Sequence, residues 1–333
     1  MIIDENIDRF LMESLGEYGA IEKLSGDAST REYYRVQSVG ASFVLCIDSN
    51  FIEKPARQYP FFIVDDIFRK KGIRVPEIYS FDEKNGLILL EDGGDDHLKV
   101  VYPRLRRNEG LSLYKKLIDI IIDIHFIEGD CRRVPFCLSF DVDKLMFEFD
   151  FFIENALKKY FHSELSRAEL GELRGEFIKI SEILNRSEYF VLNHRDFHSR
   201  NVLILQSRPF IIDFQDARIG LPQYDAVSLL RDSYLVLDDR VVEVLKKYHF
   251  DRLVENGFDK MTVEEYEYFF DIMAFQRNVK AIGTFGYQIT SLGHRIYEEY
   301  IVPTMNYLPK YTQRRKELRR AGEILKKHME GEQ

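Results

Sequence analysis

The sequence predicts an α+β protein of two lobes, a small antiparallel-sheet lobe followed by a larger, mostly helical one. Three observations carry that expectation. Before Gly93, short β-branched and aromatic runs at residues 32–36, 42–47 and 87–90 are separated by turn residues, the pattern of strands in a small sheet. After Gly93-Gly94 the apolar residues recur at helical spacing. One exception interrupts the helices: the apolar runs at 202–205 and 210–213, joined by Gln206-Ser207-Arg208-Pro209, read as a β-hairpin.

Taken in order, the first lobe is expected to span residues 1–92. Its order is strand, strand, helix, strand, strand, the one amphipathic helix spanning residues 55–71 with Phe61, Val64, Ile67 and Phe68 on its apolar face. The second lobe, residues 93–333, carries a helix with Leu113, Leu117, Ile120, Ile121 and Ile124 on one side, and another from Leu145 to Tyr160. Residues 310–327 hold eight basic side chains, with Tyr311, Leu318 and Leu325 repeating along one side; they read as one terminal helix docked by a thin apolar stripe.

Composition narrows the function. With 333 residues and 45% hydrophobic positions the chain buries a sizeable core as one bilobal unit, which excludes general disorder. A net charge of −9 argues against a general nucleic-acid or anionic-membrane binder, while leaving room for a local basic pocket. No apolar run approaches the roughly 18 residues of a membrane helix, and the first fifteen residues carry no leader pattern, so a cytoplasmic location is expected. Cys46, Cys131 and Cys137 lack metal spacing and are expected as buried thiols in a reducing compartment.

The chemistry concentrates around the hairpin. Before it stands His194-Arg195-Asp196-Phe197-His198-Ser199-Arg200-Asn201, and after it Ile211-Ile212-Asp213-Phe214-Gln215-Asp216. Phosphoryl transfer requires a carboxylate that orients the attacking hydroxyl and oxygen ligands that hold Mg²⁺ on the phosphates. Asp196, Asn201 and Asp213 supply those groups, and the hairpin returns Asp213 toward Asn201.

These motifs resemble the aminoglycoside phosphotransferase family of small-molecule kinases, within the protein-kinase-like superfamily. Residues 24–36, 72–79 and 213–232, with Gln276-Arg277-Asn278-Val279-Lys280-Ala281, look like its branch of bacterial cell-wall amino-sugar kinases, which phosphorylate the anomeric hydroxyl of N-acetylmuramate and N-acetylglucosamine. The resemblance implies a bilobal protein-kinase-like fold, with ATP and Mg²⁺ as cofactors and a small sugar as acceptor, and no nucleic-acid or membrane partner. It makes Asp196 the catalytic carboxylate and Asn201 and Asp213 the metal ligands. His198, where protein kinases place a loop lysine, either meets the transferring phosphate or braces the loop; Asp216 adds a contact around the metal, and Asp225 anchors the loop.

The nucleotide is expected on Ser25, Gly26, Ser29 and Thr30, whose backbone and hydroxyls cover phosphates, on Arg31, and on a hinge at Glu91 and Asp92. The strand at 43–48 lacks the phosphate-binding lysine of protein kinases, so Arg31, Arg35, Lys54 or Arg57 is expected to replace it. On the acceptor side, Glu148 and Asp150 either accept from sugar hydroxyls or form a solvated helix face. Arg277 and Lys280 either meet an acyl or lactyl group or make structural salt bridges. Two other readings stand beside the sugar kinase: a kinase of aminoglycosides or other small alcohols, and a nucleotide-binding pseudokinase.

Overall fold

The computed structural model describes residues 4–24 and 31–329. Packing divides the chain into two compact units, Met1–Leu98 with Val202–Gln215, and Lys99–Asn201 with Asp216–Gln333.

The first unit is built on a five-stranded sheet: β1 (Ile21–Lys23), β2 (Arg31–Ser38), β3 (Ala41–Asp48), β4 (Ile78–Asp82) and β5 (Leu87–Glu91), in the order β1-β2-β3-β5-β4. Every pairing is antiparallel. β4 is the first of the two strands expected after the helix, whereas the short strand β1 and helix α1 (Glu5–Leu15) are elements that sequence periodicity does not announce. Asp4 caps α1 by accepting the Asn6 N–H at 2.9 Å, and the helix buries Phe10 and Leu11 against Tyr34, Val36, Leu45, Leu87 and Leu89. Because side chains alternate along a strand, Cys46 and Asp48 fall on the other face of β3, opposite Tyr33 and Arg31 of β2 in the register.

The single helix expected over 55–71 is a 3₁₀ turn (Ala56–Gln58) followed by α2 (Pro60–Lys70). Pro60 has no N–H to donate to a preceding turn, but it fits the first turn of a new helix. Phe61 and Phe68 of α2 pack on Phe214, with ring centroids 5.1 and 5.7 Å away.

The 202–211 hairpin belongs to this unit rather than to the helical residues on either side of it in sequence. Its strands are Val202–Leu205 and Arg208–Ile211. The Ile204 N–H donates to the Asp96 carbonyl at 2.8 Å, the Ile211 N–H to the Arg74 carbonyl at 2.9 Å, and the Arg74 guanidinium covers the Phe210 ring. The turn is two residues, Gln206-Ser207, both left-handed (φ 50° and 64°), which matches the twist of the strands better than the four-residue connection expected. Pro209 is therefore inside a strand, opposite Ile204.

Helix α3 (Leu98–Val101) carries the chain onward. The second unit holds α4 (Arg107–His125), α5 (Val142–Phe152), α6 (Arg167–Leu184), α7 (Gln223–Leu230), α8 (Asp239–Glu255), α9 (Val263–Thr290), α10 (Glu298–Met305), α11 (Leu308–Arg314) and α12 (Arg319–Met329). Strands Val191–Asn193 and Arg218–Gly220 pair antiparallel at the base of the motif-bearing loop. The expected helix from Leu145 to Tyr160 changes hydrogen-bonding pattern midway: α5 passes into a π-helical segment, Ile153–Tyr160. There α9 comes unusually close, since a Cβ on Gly286 would stand 2.5 Å from the Asn155 carbonyl oxygen and one on Gly283 2.7 Å from the Phe152 Cα. Glycine is required at both positions by that approach.

Two further expectations change. The basic terminal segment is two helices rather than one, because Arg315 between them is extended and ties its guanidinium to Asp271 at 2.8 Å; the apolar stripe of Tyr311, Leu318 and Leu325 is nonetheless buried. Cys46 is buried, but Cys131 and Cys137 are exposed, being in the turn-rich stretch between α4 and α5 rather than on a core face. No described helix is long and apolar enough to cross a membrane.

Candidate active site

In the second unit the loop from His194 to Asn201 is held by its own backbone and by two buried carboxylates. Asp225, at the start of α7, accepts the N–H groups of His194 (2.6 Å) and Arg195 (3.0 Å). Asp232, just beyond α7, accepts those of Ser199 (2.9 Å) and Tyr234 (2.8 Å). Burial pushes the Asp225 carboxyl up to about 7 and that of Asp232 up to about 6, against the N–H bonds that pull them down. Inside the loop, His198 N–H bonds the Asp196 carbonyl, Asn201 N–H the His198 carbonyl, and Asn201 Nδ2 the Asp196 carbonyl at 3.0 Å. Arg195 is left-handed (φ 87°), a conformation that costs a non-glycine residue on the order of 1–3 kcal/mol and gathers at functional sites.

The consequence is the placement of Asp196. Its carboxylate meets Lys280 Nζ of α9 at 2.9 Å, Arg277 of the same helix at 3.7 Å and Arg195 at 3.8 Å. Burial pushes its pKa up, but Lys280, Arg195 and Arg277 outweigh burial and hold the carboxyl well below the usual aspartate range. Arg277 is itself fixed, donating to the Arg195 carbonyl at 3.0 Å with its guanidinium 4.4 Å from the Tyr224 ring centre. Arg195 also pairs with Asp216 at 2.9 Å. His198 is pushed by burial down to about 3, so its ring is neutral at pH 7, and it lies beside Tyr234. Asp196, His198, Lys280, Tyr234 and Thr284 border a cavity of about 80 Å³.

The acceptor-side residues separate. Glu148 is buried and accepts from Gln276 Nε2 at 2.9 Å, with Lys144 at 4.0 Å. It shares electrostatic reach of Tyr224 with Arg277 and Asp196. Asp150, two positions on and so about 200° around a helix, instead pairs at the surface with Arg174 at 3.0 Å. The structure does not bring it to the group around Asp196.

In the first unit, Asp213 follows the hairpin with a left-handed backbone (φ 64°), accepts from Gln215 Nε2 at 2.8 Å and precedes the buried Phe214 that anchors it on α2. Tyr33, raised well above the usual range by burial, feels Cys46, Arg31 and Asp213 together. Arg31 bonds Asp48 at 2.6 Å, and Tyr59 donates to the same carboxylate. Arg35 grips Asp92 at 2.7 Å and Asp95 at 2.9 Å, and Asp92 also accepts from Ser42. Glu91 pairs with Arg74, and its N–H is taken by the Glu77 carbonyl. Lys54 lies over the Tyr59 ring. Ser25, Gly26, Ser29 and Thr30 lie outside the described residues.

Asn201, in the second unit, carries an amide oxygen and Asp213, in the first, a carboxylate, and each is by itself a hard oxygen donor of the kind Mg²⁺ takes. Among the described residues no cluster of three or more His, Cys, Asp or Glu side chains forms a closed metal cage. Sequence reasoning missed Asp232 and the direct bond between Lys280 and Asp196. The seven-residue spacing of Asp225 and Asp232 was a usable signal for the first; nothing local signals the second.

A family model for the phosphotransferase enzyme family matches residues 20–261. A Pseudomonas aeruginosa protein named N-acetylmuramate/N-acetylglucosamine kinase is 28% identical over 323 residues, 95% of this chain and 91% of its own. A Pseudomonas putida protein of the same name is 28% identical over 333 residues, covering 97% and 93%. Among solved structures, the streptomycin–ATP complex of the aminoglycoside phosphotransferase APH(2")-IIa shares the fold at a TM-score of 0.59 and 18% identity, covering 85% of this chain and 91% of that one. The choline kinase LicA of Streptococcus pneumoniae does so at 0.63 and 14%, covering 93% and 99%. The chain has the bilobal α+β protein-kinase-like fold and belongs to the phosphotransferase enzyme family.

Proposed function

We propose that this protein transfers the γ-phosphoryl group of Mg-ATP to the anomeric hydroxyl of N-acetylmuramate or N-acetylglucosamine. The observation that carries the reading is the match, over nearly the full length of both chains, to relatives named for those two sugars. The site chemistry agrees with it. Asp196 accepts a hydrogen bond from the acceptor hydroxyl and takes its proton late. A carboxylate held this low is a weak base but a well-ordered acceptor, and a loose phosphoryl-transfer transition state asks chiefly for orientation. An anomeric hydroxyl is more acidic than other sugar alcohols, which eases that step.

Asn201 and Asp213 are the residues that would hold Mg²⁺, which when bound screens the charge of the β- and γ-phosphate oxygens. Arg31, Glu91 and Asp92 belong to the nucleotide side, where Glu91 and Asp92 shape the hinge through structural pairs rather than through free side chains. Glu148 and Arg277 shape the acceptor side around Asp196, and His198 lines its cavity as a neutral ring. The test is incubation with Mg-ATP and a panel of N-acetylated amino sugars, aminoglycosides and choline, with phosphate located by ³¹P NMR. Phosphate at C1 of an N-acetylated sugar is expected. Phosphate at another position, or on a cationic drug alone, rejects the anomeric reading.

A further inference from the structure

The strand that carries a phosphate-binding lysine in protein kinases has none here, and the loop position where they place a second lysine is His198. Of the cations of the first unit expected to replace it, Arg31 and Arg35 are each held by carboxylates, and Lys54 lies over the Tyr59 ring. The second unit is different. Lys280 reaches Asp196 from α9, 84 residues further along the chain, and Asp196 is its hydrogen-bond partner at 2.9 Å. An ammonium has three N–H donors in a compact head, so one bond to Asp196 leaves two for another anion. Both side chains remain accessible, Lys280 17% and Asp196 22% exposed, and both border the same cavity. Arg277 and Arg195, the other cations at Asp196, are committed to the Arg195 carbonyl and to Asp216.

We propose that Lys280 is a catalytic residue, which bonds Asp196 and the transferring phosphoryl group at once and supplies from α9 the lysine ammonium that strand β3 and the catalytic loop lack. The proposal rests on the phosphotransferase reading and replaces the acyl-binding role expected of Lys280. In the step, the acceptor oxygen forms its bond to the γ-phosphorus as the bond to the β–γ bridging oxygen breaks. The hydroxyl proton passes to Asp196, ADP leaves with the electron pair, and Lys280 keeps its protons while its bonds to the phosphoryl oxygens shorten. Charge placed where it is needed only in the transition state raises kcat rather than substrate affinity.

The experiment compares wild type, Lys280→Met, Lys280→Ala and Lys280→Arg in transfer to the best acceptor and in slow transfer to water, which needs no sugar. Thermal unfolding and Mg-ATP binding identify any variant that has lost its fold. Lys280→Met and Lys280→Ala are expected to lose about 10²-fold in kcat in both reactions, with KM for Mg-ATP and acceptor within about threefold. Lys280→Arg is expected to recover part of the loss, and added methylammonium to restore turnover in Lys280→Ala. Unchanged kcat in a folded Met variant overturns the proposal. So does a rise in acceptor KM alone, which assigns Lys280 to acceptor binding. A wild type that transfers to water but to no amino sugar rejects the acceptor reading and leaves the water assay to decide the role of Lys280.

Discussion

The two units treat positive charge in opposite ways. On the sheet, the arginines are matched with carboxylates: Arg31 with Asp48, and Arg35 with both Asp92 and Asp95. Around the loop of the helical unit, three cations, Lys280, Arg277 and Arg195, face Asp196, with Asp216 pairing Arg195 as the second carboxylate. The sheet's pairs neutralise themselves and act as braces. The loop's cations outnumber the carboxylates they face, and with Arg277 and Arg195 committed elsewhere it is Lys280 that keeps donors for a further anion. A protein of net charge −9 can therefore act on an anionic nucleotide if its positive field is concentrated beside the reacting groups.

Predictions that break or sharpen this contrast run from large effects to small. Asp196→Asn is expected to lower kcat by about 10³-fold with the fold intact, measured by coupled ADP release and thermal unfolding. Near-normal turnover would remove Asp196 from the reaction.

Arg31→Met is expected to act on stability first. It strands the fully buried Asp48, so urea denaturation should show a loss of about 3 kcal/mol, with a smaller effect on turnover of the folded fraction. A stable variant with collapsed kcat would place Arg31 among the phosphate-binding cations and erase the distinction between the units.

Gly286→Ala should push α9 away from the π-helical segment, costing roughly 1–3 kcal/mol, and by moving Lys280 on the same helix it should lower kcat as well. Loss of stability without loss of rate would show that the placement of Lys280 does not depend on this close approach.

The smallest effect is in pH. Unfolded, Asp225 titrates at about 4, and folded at about 7. Between those values the native state holds a proton that the unfolded state has released, so this group's contribution to stability is complete below about pH 4 and declines as pH rises toward 7. The melting temperature of wild type minus that of Asp225→Asn, a signed difference, should therefore fall from pH 5 to pH 8. A rise in that signed difference would mean that the two N–H bonds favour the charged carboxylate more than burial opposes it.

Legibility followed the range of the interactions. The strands at β2, β3 and β5 were readable because alternation and apolar runs are local; the edge strand β4 was expected without bounds and the edge strand β1 not at all, because the partners of short edge strands, not their residues, define them. The 202–211 hairpin was readable as a hairpin, but its membership of the first unit depends on Asp96 and Arg74, more than a hundred residues upstream. The Cys131 and Cys137 expectation failed because cysteine's usual burial says nothing of a turn-rich segment held outside the core. Asp150 fell away from Glu148 because the two sit on nearly opposite sides of one helix.

The sequence by itself determined the chemistry on offer: an aspartate and an asparagine five residues apart, a second aspartate behind an apolar hairpin, and a strand without its lysine. Those are properties of residue type and short spacing, which a linear chain displays directly. Only the tertiary structure decided which charges meet. It joined Lys280 and Arg277 to Asp196 across some eighty residues, tied Arg31 and Arg35 to carboxylates, and hung the loop on Asp225 and Asp232. Coulomb energies and burial costs depend on distances of a few ångströms through space, and sequence separation does not report them.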